Sequence, residues 1–483
     1  MKRSLPHAFL LLITCTTIAV FLYWYNPFGL APDANKVVAI AALMIGAWVT
    51  EALPMPVVAL FPLVLFPIFG IAAFDVVTPS YANPVIFLFM GGFMLGLAIE
   101  KWNLHRRIAL NIVRITGTSG DRIILGFIIA TGLISMWLSN TATTMMMFPI
   151  ALSVIHVLRE NHPHQKGITN FSLSVMIAIA LASNIGGIAT IIGTPPNVAY
   201  TGFILKKYNY AISFLDWMLL CMPLSLLMLT ALYWVMVKWL YPNGMQSHLA
   251  TSELIRNEIN LLGPFSKAEK RVLTIFITVA LLWITRDLIN KLGIIKLDDN
   301  MIALMGAIAL FIVQAGNGSG KALMDWADTK NMAWGILLLF GGGIALAAAL
   351  EKAGLIERLG HWFAQFAFHR LLLIFLITFI SLFISEVLSN VAQVIVFAPV
   401  VSGLAEAVHM HPLSLGIPMT LAASCASMLP MGTPPNAIVF SSGYIRLSQM
   451  TRIGFCINII AVVLITLFGW LLLPLVFHVQ KSF

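Results

Sequence analysis

The sequence predicts an all-α polytopic membrane protein built from two inverted repeats, and three observations predict it. Of the 483 residues, 60% are hydrophobic and only 10% are charged, where a soluble domain carries roughly 25% charged residues. The apolar residues fall into segments such as 8–26, 54–73, 213–241, 272–285, 371–385 and 453–477, many of them near the ~20 residues a spanning helix needs. Three sequence blocks also occur twice, in the same order. The length allows about a dozen crossings, with no polar segment long enough for a soluble domain.

The first 25 residues, "MKRSLPHAFLLLITCTTIAVFLYWY", imitate a secretory signal. Bulky "FLYWY" stands where a small-x-small cleavage site would be, so the segment is expected to stay as the first membrane helix. The formal charge of +9 fits cytoplasmic loops that follow the positive-inside rule better than nucleic-acid binding. Lys2 and Arg3, the group Lys101, Arg106, Arg107, Arg114 and Arg122, and the group Arg256, Lys267, Lys270 and Arg271 are accordingly expected in the cytoplasm. The stretch 242–271 reads as an interhelical linker with an amphipathic piece. Cys15, Cys221, Cys425 and Cys456 stand singly in apolar surroundings, as packing residues do. "GNGSGKAL" at 316–323 has the wrong spacing for a phosphate loop, and Ala322 replaces the Ser or Thr that should follow the lysine. It is a glycine-rich turn.

The repeat is explicit. "FMGGFMLGLAIEKWNLHRRI" from Phe89 matches "FGGGIALAAALEKAGLIERL" from Phe340, at an offset of 251. "SNTATTMMMFPI" matches "SNVAQVIVFAPV" with Asn140 answering Asn390, at 250, and Gly193 of "GTPPN" answers Gly432, at 239. The shortening lies where "RENHPHQKGITN" contracts to "AVHMHP". The segment that starts at the first Glu-Lys holds five basic residues counting Lys101, whereas its counterpart holds Lys352, Arg358 and Arg370 against Glu351 and Glu357. That asymmetry suits opposite sides of the membrane, and hence inverted halves.

Within each half two elements carry chemistry. The run 123–158 holds no charged residue and is too long for one crossing helix. Ser139-Asn140-Thr141 falls at its middle, either as the turn between two full crossings or as the tip of a re-entrant hairpin. The run 371–408 puts Ser389-Asn390 in the same place. Taken singly, such residues are ordinary interhelical hydrogen-bonding glue. "GTPPN" at 193–197 and 432–436 breaks a helix, because adjacent prolines remove two amide donors. An unwound segment survives in a membrane only if it is buried in protein or lines a cavity. Paired breaks of this kind point to a transporter binding site, where helix stumps offer carbonyls to a cation and N–H groups to an anion.

No Lys or Arg lies between Arg122 and Arg159, Lys166 and Lys206, or Arg370 and Arg446. An anion bound there needs a co-bound cation to neutralise it. Glu386 adds a carboxylate, read first as a helix-tip cap and second as a direct participant. There is no cluster of His, Cys or carboxylates near the motifs to suggest an enzyme.

These paired motifs, with "GGFMLGLAIEKWNLHRRIAL", resemble the divalent-anion/sodium symporter family of INDY-type di- and tricarboxylate carriers, from "TEALPMPVVAL" at 50–60 to "SGYIRLSQMTRIG" at 442–454. The resemblance implies about eleven transmembrane helices, re-entrant hairpins over 123–158 and 371–408, and broken helices over 170–205 and 413–443. It implies a homodimer in the inner membrane with an elevator motion. Residues 1–115 and 272–360 would be scaffold, 242–271 a cytoplasmic linker, and 123–241 and 371–477 transport parts. Carried over by motif, one sodium site would use Ser135, Ser139, Asn140 and the Gly193 loop. The other would use Ser385, the Leu388 carbonyl, Asn390 and the Gly432 loop. Asn140, Thr141, Thr194, Asn390 and Thr433 would meet the substrate carboxylates. Val391 departs from the pattern, lacking the hydroxyl of Thr141. The implied activity is sodium-coupled symport of succinate-, malate- or fumarate-type anions, with sodium as co-transported ligand and no cofactor. A sodium-independent exchanger, a sodium/sulfate symporter and a sodium/proton antiporter remain as alternatives.

Overall fold

The computed structural model describes residues 5–161, 167–245, 249–293, 295–316, 320–355, 358 and 369–478. Lys2, Arg3, Glu357, residues 162–166 of the contracted loop and 317–319 of the glycine-rich turn lie outside the described residues. Among the described residues ten helices are long and apolar enough to cross a membrane, and four shorter apolar ones accompany them.

Helix α1 (Leu5–Tyr25) packs on α2 (Pro32–Thr50), and Asn35 Nδ2 donates to the Tyr23 carbonyl at 2.8 Å to hold their turn. The apolar segment 54–73 is not one straight span. It breaks into Met55–Val58 and Phe61–Ile68, because Pro56 and Pro62 each open a new helical piece. Asn83 caps α3 (Pro84–Lys101) by accepting from the Val85 N–H at 3.0 Å. Asn103, at φ +54°, then turns the chain into α4 (Leu104–Thr116). The first hairpin is α5 (Gly120–Ser135) and α6 (Asn140–Asn161), and the first broken helix is α7 (Ile168–Gly187) and α8 (Pro195–Tyr208). α9 (Phe214–Tyr233) runs on through a π-helical turn to Leu240.

The linker contains the expected helix, α10 (Leu249–Leu261), but ends sooner than its sequence bounds. A Ser266–Glu269 capping box starts α11 (Lys267–Lys291), so Lys267, Lys270 and Arg271 form the first turn of a crossing helix. The basic cluster of α4 holds the linker down: Arg107 pairs with Glu269 at 2.7 Å and donates to the Gly263 carbonyl at 3.0 Å, and Arg106 pairs with Glu258. The second half continues with α12 (Asp299–Ile312), α13 (Trp334–Lys352), the hairpin α14 (Arg370–Ser385) and α15 (Asn390–Ala407), the broken helix α16 (Pro412–Ala423) and α17 (Pro434–Phe440), and α18 (Leu447–Leu471).

The repeat is inverted in space as well as in charge. Lys101, at the C-terminal end of α3, pairs at 2.7 Å with Asp328, just ahead of the N-terminus of α13. The equivalent residues Phe89 and Phe340 touch one another edge to face, 5.5 Å between ring centroids, as residues beside a pseudo-twofold axis must. Glycines exchange reciprocally across it. A Cβ on Gly91 would lie 2.7 Å from the Ala303 backbone, and one on the equivalent Gly342 would overlap the Ala59 carbonyl. Close helix approach therefore requires glycine at both places. The first arm of each hairpin has 16 residues, about 24 Å of rise. That is short of the ~30 Å hydrocarbon core, so both tips stop within it. Without the second hairpin arms, and with Met55–Ile68, α12 and the broken α16–α17 counted in, the helices account for the eleven crossings expected.

Candidate functional site

Four chain breaks meet in the middle of the fold. Each hairpin turns between its serine and its asparagine, Ser135 to Asn140 and Ser385 to Asn390, and each broken helix unwinds just before its prolines. The halves interlock, since α8 packs on α15 and α17 packs on α6 and α7. Each hairpin therefore meets the broken helix of the other half as well as that of its own.

The unwound loops are held the same way twice. Asn197 Nδ2 donates to the carbonyls of Thr190 at 2.8 Å and Gly187 at 3.4 Å. Asn436 Nδ2 donates to Leu429 at 3.1 Å and Ala426 at 3.3 Å, the residues at the same backward steps of seven and ten. The asparagine of "GTPPN" is thus a staple for carbonyls freed by helix unwinding. The two prolines occupy positions where an N–H would have no helical partner.

At the first site Ser135 Oγ lies 2.8 Å from Asn140 Oδ1 and 2.7 Å from the Ser183 carbonyl. A Cβ on Gly193 would overlap the Gly187 carbonyl and sit 3.0 Å from the Met136 carbonyl, and one on Gly187 would overlap Asn140 Oδ1. Oxygens of Met136, Asn140 and Gly187 thus crowd the places that glycine leaves open at 187 and 193, with Ser135 Oγ beside Asn140 Oδ1. Oxygens grouped in this way suit a hard cation. Ser139 is placed differently from its expected role: its Oγ accepts from the Ala142 N–H at 3.3 Å and caps α6.

The second site is built less tightly. Ser385 Oγ donates to the Leu382 carbonyl at 2.7 Å, one turn back in its own helix, and does not reach Asn390. Asn390 Oδ1 is buried without a hydrogen-bond partner among the described residues. Leu388, Val391 and Thr141 are half-buried on the tips. Thr194 and Thr433 cap α8 and α17 from extended conformations and are buried, and only Thr433 accepts the capping N–H, from Asn436 at 3.3 Å. A Cβ on Gly432 would meet Glu386 Oε2 at 3.2 Å, a tight contact without overlap.

Two residues gain roles from the structure. Asn184, the final polar residue of an apolar helix, accepts from Asn140 Nδ2 at 3.4 Å and donates to Thr433 Oγ1 at 3.0 Å, tying the first hairpin to the second broken helix. Glu386 is buried and accepts from the N–H groups of Ser427, Met428 and Leu429 and from Asn458 Nδ2, all at 2.7–3.1 Å. It caps the Gly432 loop, as its position at the helix tip suggested, with its lone pairs committed to donors in the manner of a fixed anion. Its first-half counterpart is Met136, so only the second site has a built-in negative charge.

The two tips are covered unequally. Trp137 at the first tip packs on Phe276 at 4.8 Å and lies parallel to Trp283 at 6.4 Å, and Leu138 is buried beside Gly96. At the other side Val387 and Met431 are 68% and 72% exposed. The cavity of about 250 Å³ near the end of α8 is separate: no residue of the hairpin tips or the "GTPPN" loops lines it, and Lys207 there pairs with Glu406 at 3.1 Å.

The glycines give an asymmetric test. Gly193→Ala drives a Cβ into backbone, which cannot move aside, and is expected to lower uptake more than roughly tenfold. Gly432→Ala meets a side chain that can give by tenths of an ångström and should keep uptake within a fewfold. Equal losses would mean that the two loops are not built as described.

A family model described as the sodium:sulfate symporter transmembrane region matches residues 6–477. The chain is 38% identical over 469 residues to the sodium-dependent dicarboxylate transporter SdcS of Staphylococcus saprophyticus, covering 95% of this chain and 90% of that one. It is 38% identical over 467 residues to the protein of the same name from Staphylococcus aureus, with the same coverage. Among solved structures it is similar in fold to the YdaH transporter of Alcanivorax borkumensis, with a TM-score of 0.57 at 12% identity over 82% of this chain and 87% of that one. The MtrF efflux pump of Neisseria gonorrhoeae gives 0.56 at 11% identity over 83% of each chain.

Proposed function

The chain belongs to the divalent-anion/sodium symporter family, and from that membership we propose that it imports small dicarboxylates across the bacterial-style inner membrane by sodium-coupled symport. The observation that carries the reading is the pair of oxygen-lined hairpin tips inside windows free of Lys and Arg. Cations at Ser135–Asn140–Gly193 and Asn390–Gly432 would supply the positive charge that those windows lack. Substrate carboxylates would then meet Asn140, Thr141, Asn390 and Thr433, with Thr194 and the N-termini of α6, α8 and α15 adding donors. The naming of the relatives as sodium-dependent dicarboxylate transporters supports the same substrate and ion.

Alternating access would come from an elevator motion of the hairpins, broken helices, α9 and α18 against a homodimeric scaffold of the remaining helices. The clamped first tip and the open second tip support it, because moving that unit would exchange which tip is covered.

The test is uptake of labelled succinate, citrate and sulfate into proteoliposomes with and without an inward sodium gradient. Succinate uptake should rise at least about tenfold with the gradient and exceed the other two. Gradient-independent uptake that needs internal dicarboxylate would replace this reading with the exchanger, and preferred sulfate would replace the substrate.

A further inference from the structure

Two hydroxyls in the first hairpin are fully buried and have no hydrogen-bond partner among the described residues: Thr131 on α5 and Thr143 on α6. A helical threonine readily donates to the carbonyl one turn back, and Thr230, Thr285, Thr378 and Thr420 do so here at 2.7–2.8 Å. Thr131 and Thr143 do not.

The repeat supplies the comparison. At the offset of 250 their counterparts are Ser381 and Gln393. Gln393 reaches across the second hairpin, its Nε2 donating to the Ser381 carbonyl at 2.7 Å and to Ser381 Oγ at 2.8 Å. Ser381 Oγ in turn donates to the Met419 carbonyl at 2.7 Å. In the first hairpin the glutamine is replaced by a threonine that stops short of the gap. The counterpart of Met419 is Ala180, whose carbonyl accepts from Ser183 Oγ at 2.8 Å, and Ser183 Oγ lies 2.9 Å from Thr144 Oγ1. Where the second half places an amide between its hairpin arms, the first half therefore has only the shorter hydroxyls of Thr131 and Thr143. Thr144 and Ser183 are also 0% exposed. One turn away, Ser135 of the first site donates to the Ser183 carbonyl at 2.7 Å.

We propose that this pocket, formed by Thr131, Thr143, Thr144, Ser183 and the Ala180 carbonyl, binds a further sodium ion behind the first site. The proposal rests on the sodium-coupled reading above. Its ligands are hydroxyl and carbonyl oxygens, the donor set of a hard cation. Charge points the same way: a dicarboxylate brings two negative charges and Glu386 a third, inside windows without Lys or Arg. Two cations at the hairpin tips leave one negative charge, and a third here closes the balance.

The test uses full-length protein in proteoliposomes and reads two quantities: the half-saturating sodium concentration for succinate uptake, and the sodium-to-succinate ratio from the reversal potential. The variants are Thr143→Val, Thr143→Ser, and the double change Thr131→Ser with Thr143→Gln, which copies the packing of the second hairpin. Thr143→Val and the double variant should raise half-saturating sodium about tenfold and lower the ratio by one ion, while Thr143→Ser restores both. Unchanged half-saturation and ratio in the double variant would mean that the pocket holds only water, and would overturn the proposal. A wild-type protein indifferent to sodium would sink the symport reading first, and this inference with it.

Discussion

Asn140→Ala is expected to abolish sodium-driven succinate uptake, by at least about 100-fold, in a protein that still inserts and assembles. The Asn140 side chain works at both ends: Oδ1 joins Ser135 Oγ at 2.8 Å beside Gly187, and Nδ2 faces Asn184 at 3.4 Å. On the function proposed above, alanine removes an oxygen from a cation and a donor from a substrate carboxylate. Hydrogen bonds to charged partners contribute about 1.5–3 kcal/mol each, so losing two interactions amounts to roughly 100-fold or more. Asn390→Ala should do the same, because its Oδ1 is buried with no hydrogen-bond partner among the described residues. Uptake per molecule, set beside the elution profile in detergent, separates lost transport from lost assembly. Normal uptake by either variant would return both asparagines to interhelical glue.

The sequence carried the repeat and the helix breaks because backbone chemistry forces the residues that make them, whereas the hairpins came from the family resemblance, since each run also fits two crossings. Two prolines after a glycine permit few outcomes inside an apolar run, and their recurrence in register removed the remaining ambiguity. Other features depend on contacts that leave no local mark. Asn184 acts across a separation of 249 residues, and a single asparagine after "ALAS" looks like any interhelical donor. Its one available signal was the polar pair Ser183-Asn184 nine residues ahead of Gly193. Thr131 and Thr143 matter only through hydrogen bonds they do not make. The break within 54–73 was hidden because proline barely lowers the hydrophobicity of a window, although it decides where helices restart. Ser139 and Ser135 are the same residue type four positions apart, yet one caps a helix and the other faces Asn140 Oδ1 and the Ser183 carbonyl. Only the turn geometry separates them.

Succinate should bind weakly to the protein in potassium or choline and at least about 100-fold more tightly in sodium. The motif windows offer no cationic side chain, and Glu386 brings a carboxylate within 3.2 Å of the position a Gly432 Cβ would take. Uncompensated charge in a low-dielectric site costs several kcal/mol even after relaxation, and each ~1.4 kcal/mol is tenfold in affinity. Linkage then requires that succinate tighten sodium binding by the same factor. The two serines should differ in this experiment. Ser135 Oγ reaches across to Asn140 Oδ1 and the Ser183 carbonyl, whereas Ser385 Oγ turns back to the Leu382 carbonyl in its own helix and does not reach Asn390. Ser135→Ala should therefore raise half-saturating sodium more than Ser385→Ala does, with a smaller change in the saturating rate for both. Calorimetric titration of succinate in sodium, potassium and choline, with sodium titrated in the presence and absence of succinate, measures both sides of the linkage. Equal succinate affinity in the three salts would remove the cations from the anion site, and the exchanger would then be the better account of these paired motifs.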